Sequence, residues 1–165
     1  MVLRLGRPAA VRRAATGLLE TGRAAGIVGA HVLVQPMVDG VEVLVGARRD
    51  PTFGPLIVIG AGGVDVEALG DVAIRLLPVT AADVRAMLAE TRVAVGLAGG
   101  RGRPPADIDA VVDAVLTVAR CLAGAPADVT EIELNPLMAG PVGSGAVAVD
   151  ALIVRGAPEG ALPTS

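Results

Sequence analysis

Glu133-Leu134-Asn135-Pro136-Leu137, near the end of a 165-residue chain, is the stretch that decides how the second half folds. It lies within an apolar run over 128–137, and a second apolar run covers 146–154. The loop between them, 139–145, is rich in glycine and turn-forming residues. Two such runs joined by a glycine-containing loop are typical of a β-hairpin. The sequence therefore predicts an antiparallel hairpin in this region.

The polar residues of this predicted hairpin share one face. Alternation along a strand places Glu133 and Asn135 on the same side, and Asp150 on the returning strand can reach that side. Two carboxylates and an amide oxygen suit a hard divalent cation, and Mg²⁺ takes a few such ligands together with water and phosphate oxygens. The pattern predicts a metal site. Solvent-facing acids beside an Asn-Pro turn are the alternative that spacing alone leaves open.

Composition narrows the class of protein. Apolar residues make up 53% of the chain, enough for a sizeable core, while all 14 basic residues are arginine. A net charge of −3 without basic runs argues against nucleic-acid binding, and no apolar run is long enough to span a bilayer. The single cysteine, Cys121, excludes a disulfide framework. We therefore expect a cytoplasmic protein that binds neither nucleic acid nor membrane.

Hydrophobic periodicity predicts the remaining strands and helices. The predicted strands cover 2–5, 30–38, 41–48, 55–60 and 71–77, and the predicted helices cover 9–25, 80–92 and 107–122. Asp39-Gly40, between two apolar runs, predicts a hairpin turn, and Thr80 with Asp83 predicts a helix N-terminus. Hairpins with helices between them predict an α+β fold, with a mixed or antiparallel sheet and two to three packed helices.

Four passages in order resemble the C-terminal half of an ATP-grasp domain of the nucleoside-diphosphate-forming acyl-CoA synthetases, a family that includes ADP-forming acetate–CoA ligase and the succinyl-CoA synthetase β subunit. The passages are 32–38 (VLVQPMV), 41–55, 60–78, and 101–107 together with 133–151. The resemblance implies a partial ATP-grasp fold over 1–155, followed by a flexible tail at 156–165. It also implies an enzyme that uses ATP or ADP with Mg²⁺ to form acyl-CoA, through an acyl-phosphate and a phosphohistidine.

The resemblance also implies roles for particular residues. The family's hinge strand, which meets the adenine edge, corresponds to Gln35, Pro36, Met37 and Val38. Glu42 corresponds to a carboxylate near the ribose or metal. Gly62 and Gly63 correspond to a phosphate-binding loop. The Mg²⁺ ligands correspond to Glu133, Asn135 and Asp150, and Arg49 is a possible catalytic residue. For Arg49 an ordinary ion pair with Asp50 or Asp71 is an equally good interpretation. Arg75 and Arg103 match the pattern without an assigned step, and His31 does not correspond to the phosphorylated histidine.

The family's N-terminal ATP-grasp half, with its lysine, and its CoA-binding domains have no counterpart in this sequence, which contains no lysine. We therefore expect a chain that needs a partner: a separate ATP-grasp half, a CoA-binding subunit, or a second copy of itself. A non-catalytic remnant acting as an interaction or binding module is the alternative function. A fragment of a longer coding region is a further explanation.

Overall fold

The computed structural model describes residues 2–62, 70–100 and 102–156, so Gly63 and nearly all of the predicted tail lie outside the described residues. The chain divides into two compact units, Met1–Met37 and Val38–Ser165. Each is considered by itself below.

The first unit contains one helix, α1, at Pro8–Ala24. Pro8 suits the first helical turn because its missing N–H would have no partner there, and Arg23 in the last turn complements the helix dipole. The helix ends at Ala24, and two residues later Gly26 has a φ of 76°, which is readily adopted only by glycine. The strands predicted at 2–5 and 30–38 are wrong, because neither segment enters a strand ladder among the described residues.

The second unit is built on a six-stranded antiparallel sheet. Its strands are β1 (Val41–Asp50), β2 (Gly54–Ala61), β3 (Val72–Leu76), β4 (Val129–Ala139), β5 (Ala146–Ala148) and β6 (Ala151–Arg155). Their order is β3-β2-β1-β4-β5, and β6 also pairs with β4. With β2 on one side of β1 and β4 on the other, the strand has no edge left for 30–38. This is why the hairpin predicted at Asp39-Gly40 is wrong.

Three helices pack on one face of this sheet: α2 (Ala81–Glu90), α3 (Val93–Leu97) and α4 (Ile108–Gly124). A reciprocal capping box between Thr80 and Asp83 starts α2. The buried side of α4 carries apolar residues at helical spacing, namely Val111, Val112, Val115, Val118, Ala119 and Leu122. These side chains pack against inward-facing residues of β1 and β2. The predicted α+β class is therefore confirmed.

The described helices are too short or too polar to cross a membrane. The hairpin predicted at the end of the chain is present, but its second strand is divided into β5 and β6. The division falls at Val149 and Asp150, opposite Pro136 and Asn135 of β4.

Candidate functional site

The sheet register brings Glu133, Asn135 and Asp150 onto one face. Leu137 pairs with Ala148, and Leu134 pairs with Ala151. The two pairings have the same register, so residues 135 and 150 stand opposite each other, and directly opposed residues share a face. The backbone N–H of Asn135 donates to the carbonyl oxygen of Asp150 at 3.4 Å.

Glu133 lies two residues before Asn135 and therefore on the same face. Its neighbours Ile132 and Leu134 pack against the helix-covered core, which places Glu133 on the opposite, open face. The open face is the side of the sheet that α2, α3 and α4 do not cover. Glu133 and Asn135 are half-buried there, and Asp150 is exposed. The structure thus gathers the three predicted ligands at one junction of β4 with β5 and β6.

A register shift in β4 explains how a proline is accommodated inside the sheet. Val43 of β1 pairs with Leu137 of β4, and Val45 pairs with Leu134. Two steps along β1 therefore correspond to three steps along β4, so β4 has one extra residue here. Proline has no N–H to donate and is tolerated within sheets at such bulges. The carbonyl of Pro136 still accepts a hydrogen bond from the N–H of Val149 at 3.0 Å. Asn-Pro therefore lies within the strand and does not begin a turn.

The donor set at this junction fits a hard cation. The Glu133 carboxylate accepts no hydrogen bond and forms no ion pair with the described residues, and Asp150 uses only Oδ1, which accepts from the N–H of Ala151 at 2.9 Å. Oxygen atoms of two carboxylates and an amide are ligands that suit Mg²⁺. Within the described part of the chain there is no cluster of three or more His, Cys, Asp or Glu residues that could hold a metal. An amide oxygen, a phosphate or water would have to complete the coordination.

Glu42 and Gly62 lie together near the start of β1. The N–H of Gly62 donates to the carbonyl of Glu42 at 3.0 Å, and a Cβ on Gly62 would come within 3.0 Å of the backbone of Glu42 and Val43. The absence of a side chain at position 62 is thus explained by close packing against β1. Glu42 pairs with Met138 and is exposed on the open face. Their roles toward ribose and phosphate stay predictions.

The predicted adenine-binding residues divide between the two units. Gln35, Pro36 and Met37 are exposed and extended at the end of the first unit, and the half-buried Val38 begins the second unit. A side-chain or backbone role toward adenine stays a prediction for all four residues.

Arg49 anchors the C-terminal end of α4. Its guanidinium donates to the carbonyl oxygens of Leu122 at 2.7 Å, Ala125 at 3.1 Å and Val129 at 3.1 Å. Carbonyls at the end of a helix lack intrahelical partners, and a cation satisfies them well. These contacts give Arg49 a structural role on the helix-covered side of the sheet, while a catalytic role stays a prediction. The neighbouring Arg48 forms an exposed ion pair with Asp50 at 3.4 Å.

The other residues that matched the family pattern have ordinary contacts. Arg75 forms an ion pair with Glu90 of α2, which gives it a structural function. Arg103 is exposed on a loop, where its backbone exchanges two hydrogen bonds with Gly100. His31 is exposed, with its Nδ1 3.4 Å from the carbonyl oxygen of Gly29.

Asp107 is a residue whose importance the sequence did not indicate. Its carboxylate accepts hydrogen bonds from the N–H groups of Ala110, Gly143 and Gly145, at 2.9 to 3.1 Å. These bonds hold the pKa of Asp107 below its ordinary value, and the bond from Gly145 is the largest cause. A polar residue before an apolar helical run does signal an N-cap. The hydrogen bonds from Gly143 and Gly145 join residues far apart in the chain, so no local sequence pattern predicts them.

A cavity of about 550 Å³ lies on the helix side, away from these residues in the fold. It is bordered by the β1–β2 turn, the start of α2 and the second half of α4, including Pro55, Leu77, Thr80, Leu116 and Arg120. None of the predicted site residues lines it. The open face of the sheet, and not this cavity, is therefore the candidate site.

Comparison with known proteins identifies the family. A family model described as an ATP-grasp domain matches residues 1–154. The β subunit of ADP-forming acetate–CoA ligase II from Pyrococcus furiosus is 44% identical over 124 residues, which are 74% of this chain and 52% of that subunit. ADP-forming acetate–CoA ligase I from Archaeoglobus fulgidus is 45% identical over 126 residues, 76% of this chain and 18% of that enzyme. The chain thus spans about half of a β subunit and a smaller share of a single-chain ligase.

Solved structures show the same relationship to acyl-CoA synthetases. An acetyl-coenzyme A synthetase from Candidatus Korarchaeum cryptofilum, in complex with coenzyme A and Mg-AMPPCP, superposes with a TM-score of 0.74 at 33% identity. The match covers 94% of this chain and 67% of that one. On the family model, the relatives and the shared fold, this chain belongs to the ATP-grasp family and is similar to the ATP-grasp part of ADP-forming acetate–CoA ligases.

Proposed function

We propose that this chain supplies the Mg²⁺ and nucleotide half-site of an ADP-forming acyl-CoA synthetase. The overall reaction converts a carboxylic acid, CoA and ATP into acyl-CoA, ADP and phosphate, and runs in both directions. The observation that carries the proposal is the junction where Glu133, Asn135 and Asp150 share the open face of the sheet. The likeness to acetate–CoA ligases supports the class of reaction.

In this proposal Glu133, Asn135 and Asp150 hold Mg²⁺, and Glu42 faces the same side of the sheet. A bound Mg²⁺ would neutralise negative charge on the nucleotide phosphates. Gln35, Pro36, Met37 and Val38 provide backbone and apolar contacts for adenine, and Gly62 with Gly63 contributes to the phosphate-binding loop. The chain completes its site with a partner that brings a lysine-bearing ATP-grasp half or a CoA-binding subunit.

The open face of the sheet and the composition of the chain both support a requirement for a partner. Large apolar side chains are exposed on it, including Ile74, Leu76 and Leu152, each more than half exposed. These side chains lie on the two outer strands of the sheet, β3 and β6, and exposed apolar surface of this kind is found where proteins associate. The 165 residues contain no lysine, so any lysine ammonium that binds the phosphates lies outside them.

A thermal-unfolding experiment tests the proposal. ADP with Mg²⁺ is expected to raise the melting temperature, because a ligand that binds only the folded form at a hundredfold excess over Kd stabilises it by about 2.7 kcal/mol. The shift should disappear without Mg²⁺ and in Glu133→Gln and Asp150→Asn. Glu131→Gln is the matched control, since Glu131 is on the same strand and face but outside the ligand set. Equal shifts in all variants would contradict the assigned ligands, and no shift in the wild type would contradict nucleotide binding by the chain alone.

A binding module without catalysis is the second candidate, favoured by a different observation. Arg49, the possible catalytic residue, has its guanidinium bound to three carbonyl oxygens, at the end of α4, just after it and at the start of β4. Mixing the chain with a lysine-bearing ATP-grasp half and a CoA-binding subunit of a related ligase separates the two functions. ADP formation that depends on Asp150 supports the enzyme, whereas a stable complex that forms no ADP supports the module.

A further inference from the structure

Asp107 connects the start of α4 to the loop that leads into the candidate metal site. Oδ1 accepts from the N–H of Ala110 at 3.1 Å, and so caps the helix. Oδ2 accepts from Gly143 at 2.9 Å and from Gly145 at 3.0 Å. The backbone N–H of Asp107 also donates to the carbonyl of Gly140 at 2.8 Å. Asp107 therefore binds the 140–145 loop at three of its residues, and the N–H of Val142 adds a hydrogen bond to the carbonyl of Pro105 at 3.1 Å.

The loop geometry is suited to this contact. Gly143 and Gly145 have φ values of 79° and 82°, in a region that other residues rarely adopt. This backbone conformation allows two N–H groups of one short loop to converge on a single carboxylate oxygen. The carboxylate and the two glycines together define where the loop ends and β5 begins.

Asp150 lies between β5 and β6: the pairing of Ala151 with Leu134 holds its C-terminal side, and β5 holds its N-terminal side. Gly145 directly precedes β5, which pairs with β4 through three residue pairs only. Beyond β5, Val149 and Asp150 are held to β4 by backbone hydrogen bonds of 3.0 and 3.4 Å, and the latter is long. With so few bonds along this short strand, the two bonds to Asp107 are a substantial part of what fixes it.

We propose that Asp107 is a positioning residue for the metal half-site, acting on Asp150 through the 140–145 loop and β5. The proposal rests on the proposed function, since it assumes that Asp150 binds a divalent cation. Asp107 itself contacts no ligand. Its carboxylate sets the distance between Asp150 on the returning strand and Glu133 on β4.

Asp107→Asn tests this role while preserving the helix cap. The amide oxygen can still accept from Ala110, but the amide NH₂ group would face the N–H groups of Gly143 and Gly145, where two donors repel. Thr80→Ala is the control for general destabilisation, because it removes the N-cap of α2, whose capping contacts involve Asp83 and not the loop. Asp150→Asn reports on the metal site directly. All variants are studied as the full chain, well below their melting temperatures.

The probe is Mn²⁺, which broadens the NMR signals of backbone amides near its binding site. We expect selective broadening around Glu133 and Asp150 in the wild type and its loss in Asp150→Asn. In Asp107→Asn the Mn²⁺ concentration for half-maximal broadening should rise about tenfold, the lower end of what outer partners of metal ligands contribute. Thr80→Ala should bind Mn²⁺ like the wild type, even though both variants lower the melting temperature.

The outcomes separate the two proposals. Selective wild-type broadening that Asp107→Asn retains at the same Mn²⁺ concentration would overturn the positioning role and leave the metal site standing. Equal weakening in Asp107→Asn and Thr80→Ala would also overturn it, since general destabilisation would then explain the effect. No selective broadening in the wild type would overturn the metal site itself, and the positioning role with it.

Discussion

The two faces of the sheet are built from the same strands but have opposite surroundings. On the helix-covered face, Val45 and Ile59 are fully buried against α2 and α4. On the outer strands of the open face Ile74 is 51% exposed, and Leu76 and Leu152 are each 54% exposed, whereas Leu44 and Met138 nearer its centre are buried. The residue types are equally apolar, so the difference is what covers them. The first face holds the unit together, and the second has the composition of a surface that another molecule covers.

The polar residues follow the same division. The helix-covered side holds Arg49 in contact with carbonyl oxygens, as an internal anchor. The open side holds Glu42, Glu133 and Asp150, whose carboxylates have few contacts within the described chain. Charged groups placed beside exposed apolar surface are expected where a ligand and a partner meet. The folding function of the sheet and its proposed binding function are therefore on opposite faces.

The largest expected effect is a loss of folding stability, compared between one isoleucine substitution on each face of the sheet. Ile59→Ala should destabilise the second unit by about 3 kcal/mol, because it leaves a cavity in the core. Ile74→Ala, on the open face of the neighbouring strand, should cost about 1 kcal/mol or less, mainly through lost β propensity. Chemical denaturation of both variants measures the difference. Comparable losses would contradict the view that only one face stabilises the fold.

A smaller effect is expected from the two adjacent arginines at the end of β1. Arg49→Ala removes three hydrogen bonds from a cationic group to carbonyl oxygens and should cost about 2 kcal/mol. Arg48→Ala removes an exposed ion pair with Asp50 and should cost about 0.5 kcal/mol or less. Urea denaturation midpoints of the two variants give the comparison. A larger loss for Arg48→Ala would show that the open face carries more of the stability than its exposure indicates.

The sequence predicted much of the second unit because its signals are local. Apolar periodicity located β1, β2, β3 and α4 to within a few residues, and the Thr80–Asp83 pair located the start of α2. The 30–38 strand failed because alternation reports a strand's own pattern and not whether a neighbouring edge is free. The face shared by Glu133, Asn135 and Asp150 was predictable from alternation. The anchoring of the loop by Asp107 was not, since it joins residues far apart in the chain.

The smallest expected effect is the acid sensitivity of the helix layer. Hydrogen bonds from Thr80, first through its side chain and then through its backbone, hold the pKa of Asp83 below its ordinary value. A carboxyl group whose pKa is lower in the folded state than in the unfolded state stabilises the protein at pH values above its unfolded-state pKa of about 3.9. This contribution is lost as the pH falls through the folded-state pKa. The melting-temperature difference between wild type and Asp83→Asn should therefore be larger at pH 6 than at about pH 3.

Thr80→Ala provides the background that tests the cause. Because the Thr80 hydroxyl is the largest cause of the depressed pKa of Asp83, adding Asp83→Asn to Thr80→Ala should produce a smaller pH dependence than adding it to the wild type. Calorimetric melting of the four chains at both pH values completes the cycle. An Asp83→Asn effect that stays constant with pH would mean that the cap stabilises α2 through geometry alone. The acid sensitivity of the helix-covered side would then have to arise at Asp50 or Asp107, whose pKa values are also lowered by backbone hydrogen bonds.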